Sequence, residues 1–411
     1  MCVRKVDLKN YGSNLFRFGD LNGDGEHDAL YVQGSFSYGP SCLTAITLDG
    51  TILWQNGVPG SGGNYFTQDI GVEIYDIDGD GNNEVLYLSG APYRIHILNG
   101  KTGTEKKSAP VGSNNAIIIA NLAGSSFPRD ILIKDEYKNL WAYDSNFTLL
   151  WHKSFNTGHY PLPIDFDGDG KDEVMAGHRL INSDGSYRWA DTSWNRVFDT
   201  TYYSAFDDYP YHADAIDIDD MDGDGVLEIA IATSKPGALV SPTGQAILSQ
   251  NMTHAQHACI GAFSDSLPGK QVAFVDRVGT GGGGYVSCYT KDGTQLFRTS
   301  MQGWLTMAST VDGWTADTNR SYLLVYRRIG YPPVLIDGKG KQVAEFSFPS
   351  GWEVMIQHFD VLGDTREEIL ISNKTDLWVY TNGEPAPGLT VPTKRPQIKR
   401  IYNATAYIGM Q

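Results

Sequence analysis

The stretch Asp76-Ile77-Asp78-Gly79-Asp80-Gly81 decides how this chain is interpreted, because four copies of nearly the same phrase occur along it. Each copy has side-chain oxygens at alternate positions, a glycine at the turn and a carboxylate at the ninth position. A calcium ion requires these features of a short loop. The predicted ligands are Asp20, Asn22, Asp24 and Asp28; Asp76, Asp78, Asp80 and Glu84; Asp165, Asp167, Asp169 and Glu173; and Asp220, Asp222, Asp224 and Glu228. We therefore predict several bound Ca²⁺ ions with a mainly structural role.

The segments that follow these loops distinguish them from EF-hands. Each loop leads directly into a short apolar run, such as residues 85–88 and 229–232, whose composition is typical of a β-strand. An EF-hand would need a glutamate at the twelfth loop position and a helix on each side. The alternative is a set of acidic surface turns without metal, and four matched copies argue against it.

The spacing of the loops sets a repeat. With four degenerate copies included, repeats begin near residues 20, 76, 121, 165, 220, 262, 312 and 360. Hairpin-turn pairs such as Asp49-Gly50 and Asn99-Gly100 occur in phase with them. Each unit therefore has four antiparallel strands, which is typical of a propeller blade, and 411 residues give about 51 per blade. We predict an all-β, eight-bladed β-propeller in which residues 1–411 form a single domain; a seven-bladed ring is the alternative.

Composition narrows the possible partners and compartment. The formal charge is −16, which four bound Ca²⁺ ions would halve, and this acidity argues against nucleic acid. No apolar run approaches the ~18 residues of a membrane span, and the first residues lack the apolar core of a signal peptide. Because calcium is scarce in the cytosol, we expect a secreted or periplasmic protein. We also expect the protein to be a monomer. Cys2 and Cys42 both fall in the predicted first blade and could form a disulfide there.

The candidate site lies on the face opposite the acidic loops. That face should carry the segments that enter each blade and the turns between second and third strands, including residues 190–215. The catalytic candidates are His212 with Tyr211, then His257 and His159. The substrate-binding candidates are Arg179, His178, Arg196, Tyr209, His254, Arg277 and Arg327. An acidic protein that gathers cations on one face suggests an anionic ligand, although a single histidine entering a blade is more often a packing residue.

Three segments resemble rhamnogalacturonan lyases of polysaccharide lyase family 11. They are residues 177–185, His212-Ala213-Asp214-Ala215, and residues 360–370, which begin Asp-Val-Leu-Gly-Asp-Thr-Arg-Glu-Glu. The resemblance implies an eight-bladed propeller that cleaves an anionic polysaccharide. In that family the His-x-Asp pair helps to bind a calcium near the substrate, with help from an acidic residue at the end of the next strand. This chain has Thr233-Ser234-Lys235 there, which favours smaller propeller lyases that act on ulvan-like or rhamnosyl-glucuronate polymers.

The expected reaction is β-elimination at a uronate. An arginine would neutralise the sugar carboxylate, and a histidine or tyrosine would remove the C5 proton. Two other functions stay open at this point. One is a non-catalytic, calcium-dependent propeller that binds glycans or proteins. The other is a glycoside hydrolase, which would need paired carboxylates on the site face, where Asp207, Asp208 and Asp214 are available.

Overall fold

The structure is a computed structural model. It describes residues 1–13, 15–35, 39–60, 64–65, 71–135, 137–190, 212–279, 282–315, 320–328, 330–348, 354–362 and 366–383. Within these ranges the regular structure is entirely β-strand. None of the described residues forms a helix long and apolar enough to cross a membrane.

Strand β1 (Cys2–Asp7) is followed by sets of strands that we number as blades 1 to 8. Blade 1 contains β2 (Phe16–Gly19), β3 (Asp28–Ser35), β4 (Gly39–Thr47) and β5 (Ile52–Gly57), with β6 (Asn64–Tyr65) added to its sheet; blade 2 contains β7 (Val72–Tyr75), β8 (Glu84–Ser89), β9 (Arg94–Asn99) and β10 (Glu105–Pro110). Blade 3 contains β11 (Asn115–Ala120), β12 (Asp130–Lys134), β13 (Asn139–Tyr143) and β14 (Leu149–Ser154); blade 4 contains β15 (Leu162–Ile164), β16 (Glu173–Ala176), β17 (Arg179–Ile181) and β18 (Tyr187–Trp189). Blade 5 contains β19 (Ala215–Asp219), β20 (Glu228–Ala232), β21 (Pro236–Val240) and β22 (Ala246–Asn251); blade 6 contains β23 (Ala255–Gly261), β24 (Gln271–Arg277), β25 (Gly284–Tyr289) and β26 (Gln295–Met301). Blade 7 contains β27 (Trp304–Asp312), β28 (Ser321–Arg328), β29 (Val334–Ile336) and β30 (Gln342–Glu345); blade 8 contains β31 (Met355–Phe359), β32 (Glu368–Ser372) and β33 (Asp376–Tyr380).

Blade 8 is completed by the N-terminal strand. β1 pairs antiparallel with β33, with Lys5 opposite Trp378, so the sheet order is β1-β33-β32-β31. The described part of the chain thus forms eight sheets, which confirms the eight-bladed prediction and shows that the seven-bladed alternative is wrong. The placement of Cys2 in the first blade was also wrong, because β1 crosses to blade 8 while Cys42 lies in β4. All four cysteines are free thiols.

The burial of the strands explains their sequences. First strands of neighbouring blades contact one another at the inner side of the ring, as β11 contacts β7 and β15, and as β23 contacts β19 and β27. In blade 3, every residue of β11 and β12 is buried, and both strands are nearly continuous apolar runs. The outer strand β14 buries only Trp151 among its six residues. The core therefore lies between neighbouring blades, where the apolar side chains of adjoining sheets pack together.

One polar contact recurs where the first strand of a blade leads into the second. The residue that begins the second strand accepts a backbone N–H bond from the preceding loop; for Glu84 the donor is Ile77, at 3.2 Å. The residues that make this contact are Asp28, Glu84, Asp130, Glu173, Glu228, Gln271 and Glu368. The degenerate loops of blades 3, 6 and 8 keep such an acceptor, since a buried N–H group left without one is costly.

Candidate functional site

The four acidic loops join the first and second strands of blades 1, 2, 4 and 5. In each loop the first aspartate accepts backbone N–H bonds from the two glycines, as Gly79 and Gly81 bond Asp76 at 2.7 and 2.9 Å. In three loops, three carboxylates offer oxygens within 4.8 Å of one another: Asp76, Asp78 and Glu84; Asp165, Asp167 and Glu173; and Asp220, Asp222 and Glu228. These acidic groups could hold metal ions, and preoriented carboxylate oxygens suit a hard divalent cation.

A histidine cluster lies on the opposite face. We use this name for Tyr137, His159, His212, Asp214 and His254. Tyr137 lies in the turn from β12 to β13, His159 precedes β15, His212 and Asp214 precede β19, and His254 precedes β23. Three of the five histidines that the sequence assigned to this face therefore lie close together. With Tyr137 included, the cluster combines residues of blades 3 to 6.

A close backbone approach joins two of these segments. The N–H of His159 donates to the carbonyl of Ala213 at 2.9 Å. Gly158 has a φ of 63°, and a side chain there would place Cβ 2.6 Å from the same carbonyl oxygen. Only glycine satisfies both the left-handed backbone and this contact without strain. The local sequence therefore holds His159 beside His212.

Asp214 is the centre of the cluster and is almost completely buried. Ser234 Oγ donates to its Oδ2 at 2.6 Å, and Gln256 Nε2 donates to its Oδ1 at 2.7 Å. His212 Nε2 lies 3.3 Å from Oδ1, and His254 Nε2 lies 3.6 Å from Oδ2. Burial acts to raise the pKa of Asp214, but the charges and hydrogen bonds of His212 and His254 hold that pKa well below its usual range. Asp214 is therefore a carboxylate at neutral pH.

A polar chain runs from Asp214 toward the surface. His212 Nε2 and His159 Nε2 are 3.1 Å apart, and the Tyr137 hydroxyl lies 3.3 Å from His159 Nε2. The Tyr137 ring also packs on His212, with 4.9 Å between centroids. Tyr137 has a φ of 114°, a conformation that a residue with a large side chain adopts only when its surroundings impose it. Tyr137, His159, His212 and Asp214 thus form one continuous chain of polar contacts, in which Nε2 of each histidine faces both of its neighbours and half-buried Tyr137 is at the outer end.

Arg277 provides a positive charge beside the cluster. Its Nη2 lies 3.2 Å from His254 Nε2, and its guanidinium lies over the Trp304 ring, 5.3 Å from the centroid. Arg277 is 9% exposed, so its charge is only weakly screened by water. This arrangement can attract an anionic group to the edge of the cluster.

The other predicted residues have different surroundings. Arg179 packs over the rings of Phe155 and Tyr187, and Arg327 donates to the Pro332 carbonyl and lies 3.7 Å from Glu345. His178 is buried in the two-residue turn between β16 and β17. His257 Nδ1 lies 3.8 Å from Cys259 Sγ. The partners named here for Arg179, Arg327 and His257 are residues outside the histidine cluster. Arg196, Tyr209 and Tyr211, and also Asp207 and Asp208, lie outside the described residues.

Sequence reasoning missed several members of this site. They are Tyr137, Gln256 and Trp304, together with Ser234, which was noted only as a departure from the family pattern. Tyr137 and Ser234 lie in turns between second and third strands, which the blade pattern already assigned to this face. Gln256 reaches Asp214 from a β-bulge in β23, and a bulge has no reliable sequence signal.

The histidine cluster is a poor calcium site. His159, His212 and Asp214 each offer one ligand atom within 4.8 Å of the others, a set that better suits a borderline ion such as zinc. Calcium needs more oxygen ligands, and Asp214 is the only carboxylate of the cluster. Ser234 and Gln256 already donate to both of its oxygens. The geometry therefore does not fit the substrate-bridging calcium that the family resemblance implies.

Comparison with known proteins agrees with the resemblance seen in the sequence. No protein family model matches the chain. The chain is 27% identical over 252 residues to the rhamnogalacturonan endolyase YesW, and 24% identical over 248 residues to the rhamnogalacturonan exolyase YesX, both from Bacillus subtilis (strain 168). These alignments cover 44% and 43% of this chain and 40% of each relative, so the matched region spans less than half of those proteins.

Solved structures support the fold. The rhamnogalacturonan lyase of polysaccharide lyase family 11 from Bacillus licheniformis has a TM-score of 0.64 at 18% identity, over 97% of this chain and 76% of that one. The V. cholerae biofilm matrix protein Bap1 has a TM-score of 0.62 at 14% identity, over 93% and 89% of the two chains. At such identities the likeness establishes the propeller fold, and function must be argued from the site.

Proposed function

We propose that this protein is a polysaccharide lyase that cleaves a rhamnose- and uronate-containing polysaccharide by β-elimination. The observation that carries this proposal is the chain of Tyr137, His159, His212 and Asp214 beside the charge of Arg277. The curated relatives are named as rhamnogalacturonan lyases, which supports the same class of substrate. Ulvan-like and rhamnosyl-glucuronate polymers contain the same combination of sugars and belong to the proposed range.

The reaction requires three functions from the site. A base removes the C5 proton of the uronate, and the electrons of that C–H bond form a double bond between C4 and C5. The bond from C4 to the leaving oxygen breaks, and an acid donates a proton to that oxygen. A positive charge must stabilise the electron density that develops on the uronate carboxylate.

The cluster contains a residue for each function. His212 is the proposed base through Nδ1, since its Nε2 faces Asp214, which holds the ring and stabilises the imidazolium that forms. Tyr137 is the proposed acid. After its hydroxyl has protonated the leaving oxygen, His212 can pass the proton on its Nε2 to His159 Nε2, and that atom can return it to the Tyr137 oxygen. Arg277 is the proposed partner of the uronate carboxylate, with Trp304 as a surface for the sugar ring. No step in this scheme passes through a metal ion.

The remaining predicted residues keep secondary roles in the proposal. His254 positions Arg277 and Asp214, while His257, His178, Arg179 and Arg327 are given no role in the chemical step. Tyr209, Tyr211 and Arg196 stay predictions from the sequence. We also propose that the acidic loops bind Ca²⁺, whose charge would offset their carboxylates and stabilise the ends of the blades. A secreted or periplasmic monomer remains the expected form.

A glycoside hydrolase and a non-catalytic binding propeller would each require a different arrangement of residues on this face. A glycoside hydrolase needs two carboxyl groups on either side of the scissile bond, and Asp214 has both oxygens engaged by donors. A non-catalytic glycan-binding propeller is the second candidate, because the biofilm matrix protein Bap1 has a similar fold. A binding protein would leave the polysaccharide without a new double bond.

His212→Ala and a matched control test the proposal. The wild-type protein should raise the 235-nm absorbance of a suitable uronate polysaccharide, and His212→Ala should abolish this rise. His152→Ala is the control, since His152 is an exposed residue of β14 that stacks on Trp141. Thermal melting of both variants checks that they are folded. Unchanged turnover in folded His212→Ala would remove His212 from the mechanism.

A further inference from the structure

Basic side chains occupy the same place in three of the four acidic loops. Lys106 Nζ lies 2.6 Å from Asp78 Oδ2 and 2.8 Å from Glu84 Oε1. The equivalent contacts in the other two loops are Arg188 Nη2 to Asp167 Oδ2 at 2.6 Å and Glu173 Oε1 at 3.0 Å, and Lys291 Nζ to Asp222 Oδ2 at 2.7 Å and Glu228 Oε1 at 2.8 Å. In every case the cation bridges the third and ninth loop positions.

The three cations reach this place from different parts of the fold. Lys106 lies in β10 and Arg188 in β18, each in the outermost strand of the blade whose loop it contacts. Lys291 lies in the turn between β25 and β26, one blade beyond the loop it contacts. The cation thus comes from the same blade in two loops and from the next blade in the third, yet it contacts the same two loop positions. The contact is therefore not simply a consequence of the repeated sequence.

The first acidic loop differs from the other three, because its third position is not a carboxylate. Its third position is Asn22, whose amide donates to Asp24 Oδ2 at 2.9 Å. Among the described residues, no lysine or arginine pairs with Asp20, Asp24 or Asp28. Counted over the predicted ligand positions alone (first, third, fifth and ninth), three loops have four carboxylates and one paired cation, and the first loop has three carboxylates and no lysine or arginine paired within the described ranges, so the formal charge at these positions is −3 in each loop.

We propose that Lys106, Arg188 and Lys291 are built-in countercharges that set the calcium affinity of their loops and hold those loops together when calcium is absent. The closing glutamates are buried, with side-chain exposures of 1 to 3%, so a glutamate that loses its cation becomes a buried and unpaired charge in the metal-free protein. A calcium ion bound to the same carboxylates is repelled by the nearby positive charge, which weakens its binding. This inference rests on the proposed calcium binding and is independent of the proposed lyase activity.

Calcium titration of the full chain by calorimetry tests the proposal. Lys106→Met should tighten calcium binding at one site per chain by about tenfold, because it removes a positive charge that contacts two of the proposed calcium ligands. In a chelator, the same variant should melt at a lower temperature than the wild type, and saturating calcium should abolish that difference. Lys107→Met is the matched control, since Lys107 lies next in β10 but contacts Ser145 and the Phe147 ring.

Two further variants keep the test decisive. Lys106→Gln retains a hydrogen-bond donor without the charge and should also tighten calcium binding, which covers the case in which the methionine variant does not fold. Asn22→Asp adds a fourth carboxylate without a cation, and should tighten calcium binding and lower the melting temperature in chelator. Unchanged or weaker calcium binding by Lys106→Gln, or no calcium binding by the wild-type chain, would overturn the proposal whether or not the protein is a lyase.

Discussion

Replacing Asp214 by asparagine tests whether the buried carboxylate organises the histidine cluster. Asparagine has nearly the same size, but it removes the charge and places an NH₂ group where one oxygen accepts hydrogen bonds. Ser234 and Gln256 donate to the two oxygens at 2.6 and 2.7 Å, and His212 lies 3.3 Å away. A hydrogen bond to a charged group contributes about 1.5 to 3 kcal/mol, and loss of one partner of a buried ion pair costs about 3 to 5 kcal/mol. We therefore expect Asp214→Asn to lower the free energy of unfolding by about 3 kcal/mol.

Urea denaturation at pH 7 with fixed calcium measures this loss. Ser234→Ala is the comparison, because it removes one donor to the carboxylate and leaves the charge, which should cost about 1.5 to 2 kcal/mol. Asp214→Asn should also reduce any lyase turnover by at least about 100-fold, since His212 loses the group that orients it. A loss of stability no larger than that of Ser234→Ala would refute the central position given to Asp214.

Other consequences of the structure can be measured in parallel. Burial raises the pKa of Glu73 to about 8 although Arg17 opposes this shift, so the folded protein keeps a proton on Glu73 that the unfolded chain releases from about pH 4 upward. The stability contributed by protonated Glu73 is therefore lost as the pH rises through about 8, and Glu73→Gln should become more stable than the wild type in melts near pH 9. Tyr137→Phe should lower kcat by about 10- to 100-fold in steady-state kinetics with little change in KM, because the hydroxyl is proposed to act only when the leaving oxygen needs a proton. Chelation of calcium should lower the melting temperature of the wild type and of His212→Ala equally, and an effect confined to the wild type would place calcium at the catalytic site.

The fold was predictable because its signals are local. The phrase that begins at Asp76 specifies a turn within nine residues, and pairs such as Asp49-Gly50 specify a hairpin. Repetition of these signals along the chain then determines the blade. The closure of the ring was not predictable in this way, since β1 pairs with β33 near the other end of the described chain. Cys2 was consequently assigned to the wrong blade.

The candidate site was only partly predictable for a related reason. His159, His212 and His254 could be assigned to one face from the blade pattern alone. Their meeting around Asp214 depends on contacts between blades, such as the approach of Gly158 to Ala213. The positive φ of Tyr137 is imposed by tertiary packing and has no counterpart in the sequence.

Incubation of the protein with rhamnogalacturonan, ulvan and glucuronate-containing polymers, followed at 235 nm, tests the central claim most directly. We predict that at least one of these substrates yields a product with a double bond between C4 and C5, and that His212→Ala does not produce it. New reducing ends without a rise at 235 nm would indicate a hydrolase. Saturable binding of the polymer without any cleavage would indicate a binding propeller, and either result would contradict the account.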